Sequence, residues 1–186
     1  PHPSGIANGV PPRIDTMNAA SALATPRLCR LSESLIHSEP KTVDRAVTGL
    51  LGLGPGLTPS GDDLLGGLLV ALRTLPCTAS HPITEILAGC VTQHATTKTT
   101  RISSAMLEQT ANGAGSAVQH RLLRCLLSVD ARSDISSAAL ELVQVGHTSG
   151  WDTLAGILLG IHLSLRVNQT LKETSSATQE TAGVPA

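Results

Sequence analysis

Apolar residues recur at helical spacing along most of the chain, and polar or glycine- and proline-rich breaks separate the runs. Leu28, Leu31, Leu35 and Ile36 predict a helix over 27–38, ended by Pro40. Val43, Ala46, Val47, Leu50 and Leu51 predict a second over 42–51. From Ser60 to Pro76 the run is apolar nearly all round, which in a soluble protein marks a central helix. Further helices are expected over 82–95, 103–112, 116–129, 135–145 and 151–165. No stretch alternates as a strand does, so the expected fold is all-α: a multi-helix bundle with two central buried apolar helices. Residues 1–26, with five prolines, read as an extended N-terminal segment in which a small β element over 1–20 stays open. Residues 27–167 form the helical domain, and 168–186, without apolar period, read as a disordered tail.

Two of these stretches resemble each other. Residues 52–63 read Gly-Leu-Gly-Pro-Gly-Leu-Thr-Pro-Ser-Gly-Asp-Asp, and 146–152 read Gly-His-Thr-Ser-Gly-Trp-Asp. Laid together without gaps, Ser60, Gly61, Asp63, Leu65, Gly67 and Leu69 meet Ser149, Gly150, Asp152, Leu154, Gly156 and Leu158. Each copy begins a helix with Ser-Gly-x-Asp, and Ser60 with Asp63 has the spacing of a capping box. A glycine inside a helix costs roughly 1 kcal/mol against alanine. Gly67 and Gly156 at matching positions therefore predict two helices that cross closely there and bring their N-termini to one site.

Composition narrows the function. The 186 residues include no Phe or Tyr and one Trp, so the core must be Leu, Ile, Val and Ala. Thirteen Lys and Arg against 14 Asp and Glu leave no basic field, and aromatic platforms for bases are absent, which argues against nucleic acid. The apolar runs 64–72 and 154–165 fall short of the ~20 residues that span a bilayer. Cys29, Cys77, Cys90 and Cys125 form no C-x-x-C pair; Cys29, Cys90 and Cys125 read as buried small hydrophobes, and the chain as cytoplasmic. Because it begins at Pro1, a processed or truncated form is expected.

The candidate chemistry gathers at the two helix starts. The loop at Gly54, Gly56 and Thr58 is neither a Walker loop nor a Rossmann fingerprint, which leaves a private anion site as one reading. Its donors would be the N–H groups of Gly61, Asp62, Gly150 and Trp151, with Ser60, Thr148 and Ser149 beside them. Thr100, Arg101 and Ser103 add hydroxyls and a guanidinium. Asp62, Asp63 and Asp152 oppose an anion. They either cap their own helices, hold a cation such as Mg²⁺, or accept from an amide or carbamoyl NH₂. Asp63 and Asp152 are the matched pair and Asp62 the freer group. His147, just before the second helix, is a candidate general acid or base, against the plainer reading of a surface loop histidine. The other histidines show no metal-ligand spacing, and no metal ligands are assigned.

The two motifs, with Thr99-Thr100-Arg101-Ile102-Ser103 between them, stand in the same order in one family. Over roughly residues 25–165 the chain resembles the AllH-type proteins, named for a subunit of bacterial oxamate carbamoyltransferase. Family members usually carry a longer N-terminal part. The resemblance implies a cytoplasmic subunit in purine or allantoin nitrogen catabolism, within an enzyme that moves a carbamoyl group between oxalurate, phosphate and oxamate by way of carbamoyl phosphate. It implies partner subunits in a hetero-oligomer and a small anionic or carbamoyl substrate. It transfers no residue roles. A non-catalytic helical partner or scaffold subunit is the alternative.

Overall fold

A computed structural model describes residues 19–128, 130 and 134–181 of the chain. The described residues form eight helices and no strand: α1 (Ala19–Ile36), α2 (Pro40–Leu50), α3 (Ser60–Thr74), α4 (Pro82–Lys98), α5 (Arg101–Ala111), α6 (Ala117–Leu127), α7 (Ile135–Val143) and α8 (Ser149–Thr181). The expected β element over 1–20 lies, except for its last two residues, outside the described residues. Of the segment expected to be extended, Ala19 onwards is helical, and Pro26 sits inside α1. At the other end α8 continues past Leu165, where the apolar period stops, as far as Thr181. Residues 166–181 contain neither Gly nor Pro and include Leu, Lys, Glu and Ala, so nothing in them stops a helix.

α3 is the axis of the fold. Leu64, Leu65, Leu68, Leu69 and Leu72 are fully buried, as the all-round apolar pattern requires. One core lies between α3 and helices α1, α2, α4 and α5, with Ala155, Leu163 and Val167 of α8 reaching in. A second lies on the opposite side, where Val70, Ala71 and Leu75 meet Leu122 and Leu123 of α6, Leu142 of α7 and Ile157 of α8. At about 1.5–3 kcal/mol per fully buried leucine, these two layers are the main stabilising term.

α3 and α8 run side by side in the same direction, in backbone contact. A Cβ on Gly67 would lie 2.2 Å from the Thr153 carbonyl oxygen, and one on Gly156 would lie 2.0 Å from that of Leu64. No side chain fits between the helices at this crossing. The expected close approach at Gly67 and Gly156 is what the structure shows, and it sets both N-termini at the same end of the bundle.

The internal repeat extends beyond the two helices to the turns that precede them. In the first copy Leu53 N–H donates to Leu50 O (3.0 Å) and Gly61 N–H to Leu53 O (2.9 Å). In the second, Val145 N–H donates to Leu142 O (3.0 Å) and Gly150 N–H to Val145 O (3.0 Å). Gly61 packs on the Leu50 carbonyl and Gly150 on the Leu142 carbonyl, where an added Cβ would stand at 2.0 and 2.1 Å. The left-handed glycines Gly54 and Gly146 (φ 116° and 64°) occupy matching places against Ser60 and Ser149. Residues 55–59 separate Gly54 from Ser60, whereas only 147–148 separate Gly146 from Ser149. α2–α3 and α7–α8 are thus two versions of one helix–turn–helix unit, the first with a longer tip.

Candidate functional site

The two tips meet. Thr58, in the longer first tip, places its Oγ1 3.1 Å from Oγ of Ser149, the first residue of α8. Ser60 is not the N-cap that the capping-box spacing predicts. Pro59 occupies the cap position, Ser60 is already helical, and its side chain makes no capping bond. Instead the Pro59 carbonyl accepts from both Asp62 N–H (2.9 Å) and Asp63 N–H (3.1 Å), as the Thr148 carbonyl does from Trp151 N–H (2.9 Å) and Asp152 N–H (3.1 Å). The four amides expected to receive an anion, those of Gly61, Asp62, Gly150 and Trp151, are therefore all engaged by carbonyls of the preceding turn. A helix terminus binds an anion only through amides still lacking a partner.

Asp62 is also not the freer carboxylate. It is buried, with Oδ1 accepting from Gly52 N–H (2.8 Å) and Oδ2 from Ser103 Oγ (2.7 Å) and Thr99 Oγ1. Gly52 stands at φ 71° with its Cα against the Lys98 carbonyl, so the chain can pass there only as glycine. One carboxylate thereby joins the α2–α3 tip to the α4–α5 turn. Thr100 serves the same junction: its Oγ1 caps α5 by accepting from Ser103 N–H (3.1 Å) and donates to the Leu57 carbonyl.

Asp63, one residue on, faces the other way. It is half-buried, lies beside the hydroxyls of Ser149 and Thr58, and lines a cleft of about 570 Å³ between the N-terminal ends of α3 and α8 and the α5–α6 turn. Burial is the main reason its pKa rises from 3.8 to about 6; the Ser149 hydroxyl opposes the rise, the Asp152 charge adds to it, the Thr58 hydroxyl opposes, and the Asp62 charge adds a little. Its Oδ2 is buried and has no hydrogen-bond partner. Asp152, its counterpart in the repeat, is completely buried behind it. A side hollow of about 40 Å³, lined by Asp62, Asp63, Ser103 and Thr110, opens behind the cleft.

The rest of the cleft wall is neutral. Gln109, Ser116 and Gln119 bring amides and a hydroxyl, and Met106, Leu142 and Val145 bring apolar surface. Among the described residues no Lys, Arg or His lines it. Of the residues expected at the site, Thr58, Asp63, Ser149 and Gly150 line the cleft itself and Asp62 and Ser103 the side hollow. Gly54, Gly56, Ser60, Gly61 and Thr148 shape the two tips, and Thr100 ties the first tip to the α4–α5 turn, without lining the cleft. Arg101 and His147 are exposed on the surface and do not reach it. Among the described residues no three His, Cys, Asp or Glu groups are placed to hold a metal ion, so the Mg²⁺ reading gains no donor set. Cys29, expected to be buried, is exposed, while Cys125 is buried.

Sequence reasoning missed Gln109, Ser116 and Gln119. A signal for two of them was present: Ser116-x-x-Gln119 is a capping box, with Ser116 N–H donating to Gln119 Oε1 (2.6 Å) and Gln119 N–H to Ser116 Oγ (3.3 Å). It starts α6 and fixes the Gln119 side chain at the cleft, with its NH₂ still able to donate.

Residues 50–161 match the family described as oxamate carbamoyltransferase subunit AllH. The chain belongs to this family. The matched span opens in the last turn of α2 and ends within α8, so it takes in both tips, the α4–α5 turn and the whole cleft wall. No solved structure matches this AllH-family chain. Among its described residues no helix is long and apolar enough to cross a membrane.

Proposed function

We propose that the chain is the substrate-holding subunit of a carbamoyltransferase-type enzyme of purine or allantoin nitrogen catabolism, and that the cleft takes the carbamoyl or carboxamide end of the substrate. The observation that carries this reading is Asp63: among the described residues the one charged group on the cleft wall, with an unpartnered buried oxygen, between hydroxyls from both tips. A carboxylate flanked by hydroxyls and amides accepts N–H donors, and an NH₂ group supplies two. Among the described residues a phosphate would meet a negative charge, engaged amides and no cation. The anionic end of such a substrate is left for the cleft mouth and the partner subunits that the family description implies. With a pKa of about 6, Asp63 is mostly ionised at pH 7 and close enough to neutrality to take a proton from a reacting nitrogen.

Oxamate, which carries a carboxamide, tests this against inorganic phosphate on the full chain by ¹H–¹⁵N NMR. Oxamate should shift the amide signals of Thr58, Asp63, Ser149 and Gln119 saturably, phosphate should leave them in place, and Asp63→Leu should abolish the effect. Phosphate shifting those signals while oxamate does not would reverse the assignment.

A second reading, a non-catalytic partner subunit, is favoured by one surface. In the repeat, Leu65, Leu69 and Leu72 of α3 correspond to Leu154, Leu158 and Ile161 of α8. The α3 set is fully buried, with α4 and α5 packed on that helix, whereas Leu158 is 47% exposed and Trp151 beside it 37%. Turnover of the assembled enzyme separates the two readings. Loss in Asp63→Asn with assembly intact supports the first, and unchanged turnover supports the second.

A further inference from the structure

The lower half of α8 forms part of a second, separate hollow. It has a volume of about 300 Å³ and lies between the C-terminal end of α1, the residue that starts α4, and α8 around Arg166. Arg166 lies 17 residues beyond Ser149 on one helix, so roughly 25 Å from the cleft at 1.5 Å per residue. The wall chemistry is the reverse of the cleft's. Among the described residues Arg166 and His81 are its charged or titratable groups, Gln169 adds an amide, and no Asp or Glu lines it. Among the described residues no carboxylate pairs with the Arg166 guanidinium.

His81 lines this space and keeps a hydrogen on Nε2. Its Nδ1 accepts from Ile83 N–H (3.3 Å), which caps α4, so Nε2 carries the hydrogen whether the ring is neutral or charged. The ring also sits at the N-terminal end of a 17-residue helix, where the helix dipole favours an anion. A guanidinium presents a planar fork of donors that matches the two oxygens of a carboxylate or phosphate. Ile36, Val167 and Leu171 supply an apolar side. The volume is at the small end of ligand pockets.

We infer that this hollow is a binding site for a small oxyanion, a carboxylate or phosphate group on a short apolar body, held by the Arg166 guanidinium and His81 Nε2–H. The site is independent of the cleft and of the function proposed for it.

The test is titration of the full chain with inorganic phosphate and, separately, with propionate, followed by ¹H–¹⁵N NMR. Saturable shifts at His81 and at residues 166–171 are expected with at least one probe, and the better probe tells which oxyanion the site prefers. Arg166→Gln, at an exposed position, should weaken that binding at least tenfold. His81→Asn keeps a capping acceptor for α4 and removes the Nε2 donor, and should weaken it as well. Asp63→Asn should leave it unchanged. No saturable shift up to about 50 mM of either probe, or equal affinity in wild type and Arg166→Gln, would overturn the inference.

Discussion

The hydroxyls of Thr58 and Ser149 lie 3.1 Å apart although 91 positions separate them in the chain. Each belongs to one copy of the repeated turn, and both lie beside the Asp63 carboxyl, whose pKa they hold down against burial and the charge of Asp152. Of the two, Ser149 has the larger effect. Ser149→Ala therefore raises the Asp63 pKa further above about 6, and Thr58→Val raises it by less. Titration of the ¹³C carboxyl signal of Asp63 in the three proteins checks both the direction and the order.

The same carboxyl gives stability a pH dependence of definite sign. Unfolded, Asp63 titrates near 3.8; folded, near 6. Between these values the folded protein keeps a proton that the unfolded chain has released. The stabilisation is complete below about pH 4, falls as pH rises, and is gone above about pH 6. For a half-buried group the loss is on the order of 2 kcal/mol, allowing for partial solvent screening. Asp63→Asn removes this slope. Urea unfolding from pH 4 to 8 should show variant and wild type converging near pH 4 and the variant more stable at pH 8.

The crossing of α3 and α8 predicts opposite outcomes for glycine-to-alanine changes that look alike in sequence. Gly67, Gly89 and Gly156 are all in helices, where alanine is intrinsically better by roughly 1 kcal/mol. At Gly67 and Gly156 the new methyl would stand 2.2 and 2.0 Å from a carbonyl oxygen of the other helix, which cannot rotate away. The helices must separate and open both core layers. Gly67→Ala and Gly156→Ala should each destabilise by about 3 kcal/mol or more, at or above the usual range for overpacking. A Cβ on Gly89 meets nothing within 4 Å, and Gly89→Ala should stabilise by about 0.5–1 kcal/mol. Urea midpoints decide all three.

These glycines also show what was legible beforehand. The eight helices among the described residues follow the expected stretches, since a 3.6-residue period with leucine on the inner face leaves little else to form. The paired glycines announced a backbone crossing, because two glycines at matching positions of a repeat each carry the propensity cost, which a close approach of the backbones repays; a lone glycine such as Gly89 carries no such message. The use of the polar groups at the tips was not legible. Ser60-x-x-Asp63 has the spacing of a capping box, yet Pro59, which lacks an N–H and has its φ fixed, takes the cap position and turns its carbonyl onto the amides of Asp62 and Asp63, the first of them expected to bind an anion. Asp62 and Asp63 are adjacent and alike in sequence. Their roles separate only because a helix points neighbouring side chains about 100° apart, one toward the α4–α5 turn and the other into the cleft.

Asp62 supplies the last prediction, since it accepts from a backbone amide in the α2–α3 tip and from two hydroxyls at the α4–α5 turn. In Asp62→Ala the Ser103 and Thr99 hydroxyls and the Gly52 N–H lose their acceptor at a buried site. A bond to a charged acceptor is worth about 1.5–3 kcal/mol, and unsatisfied buried donors add to the loss, so about 4 kcal/mol of destabilisation is expected. Asp62→Asn keeps the shape and one carbonyl oxygen but turns an NH₂ toward donors, so it should recover only part of this. The Gly52 amide provides the local reading: its hydrogen exchange should accelerate in both variants, while Asp63→Asn leaves it protected. Slow exchange at Gly52 in Asp62→Ala would mean that the tip of the α2–α3 unit is held by its own turn hydrogen bonds and by α8, and not by this carboxylate.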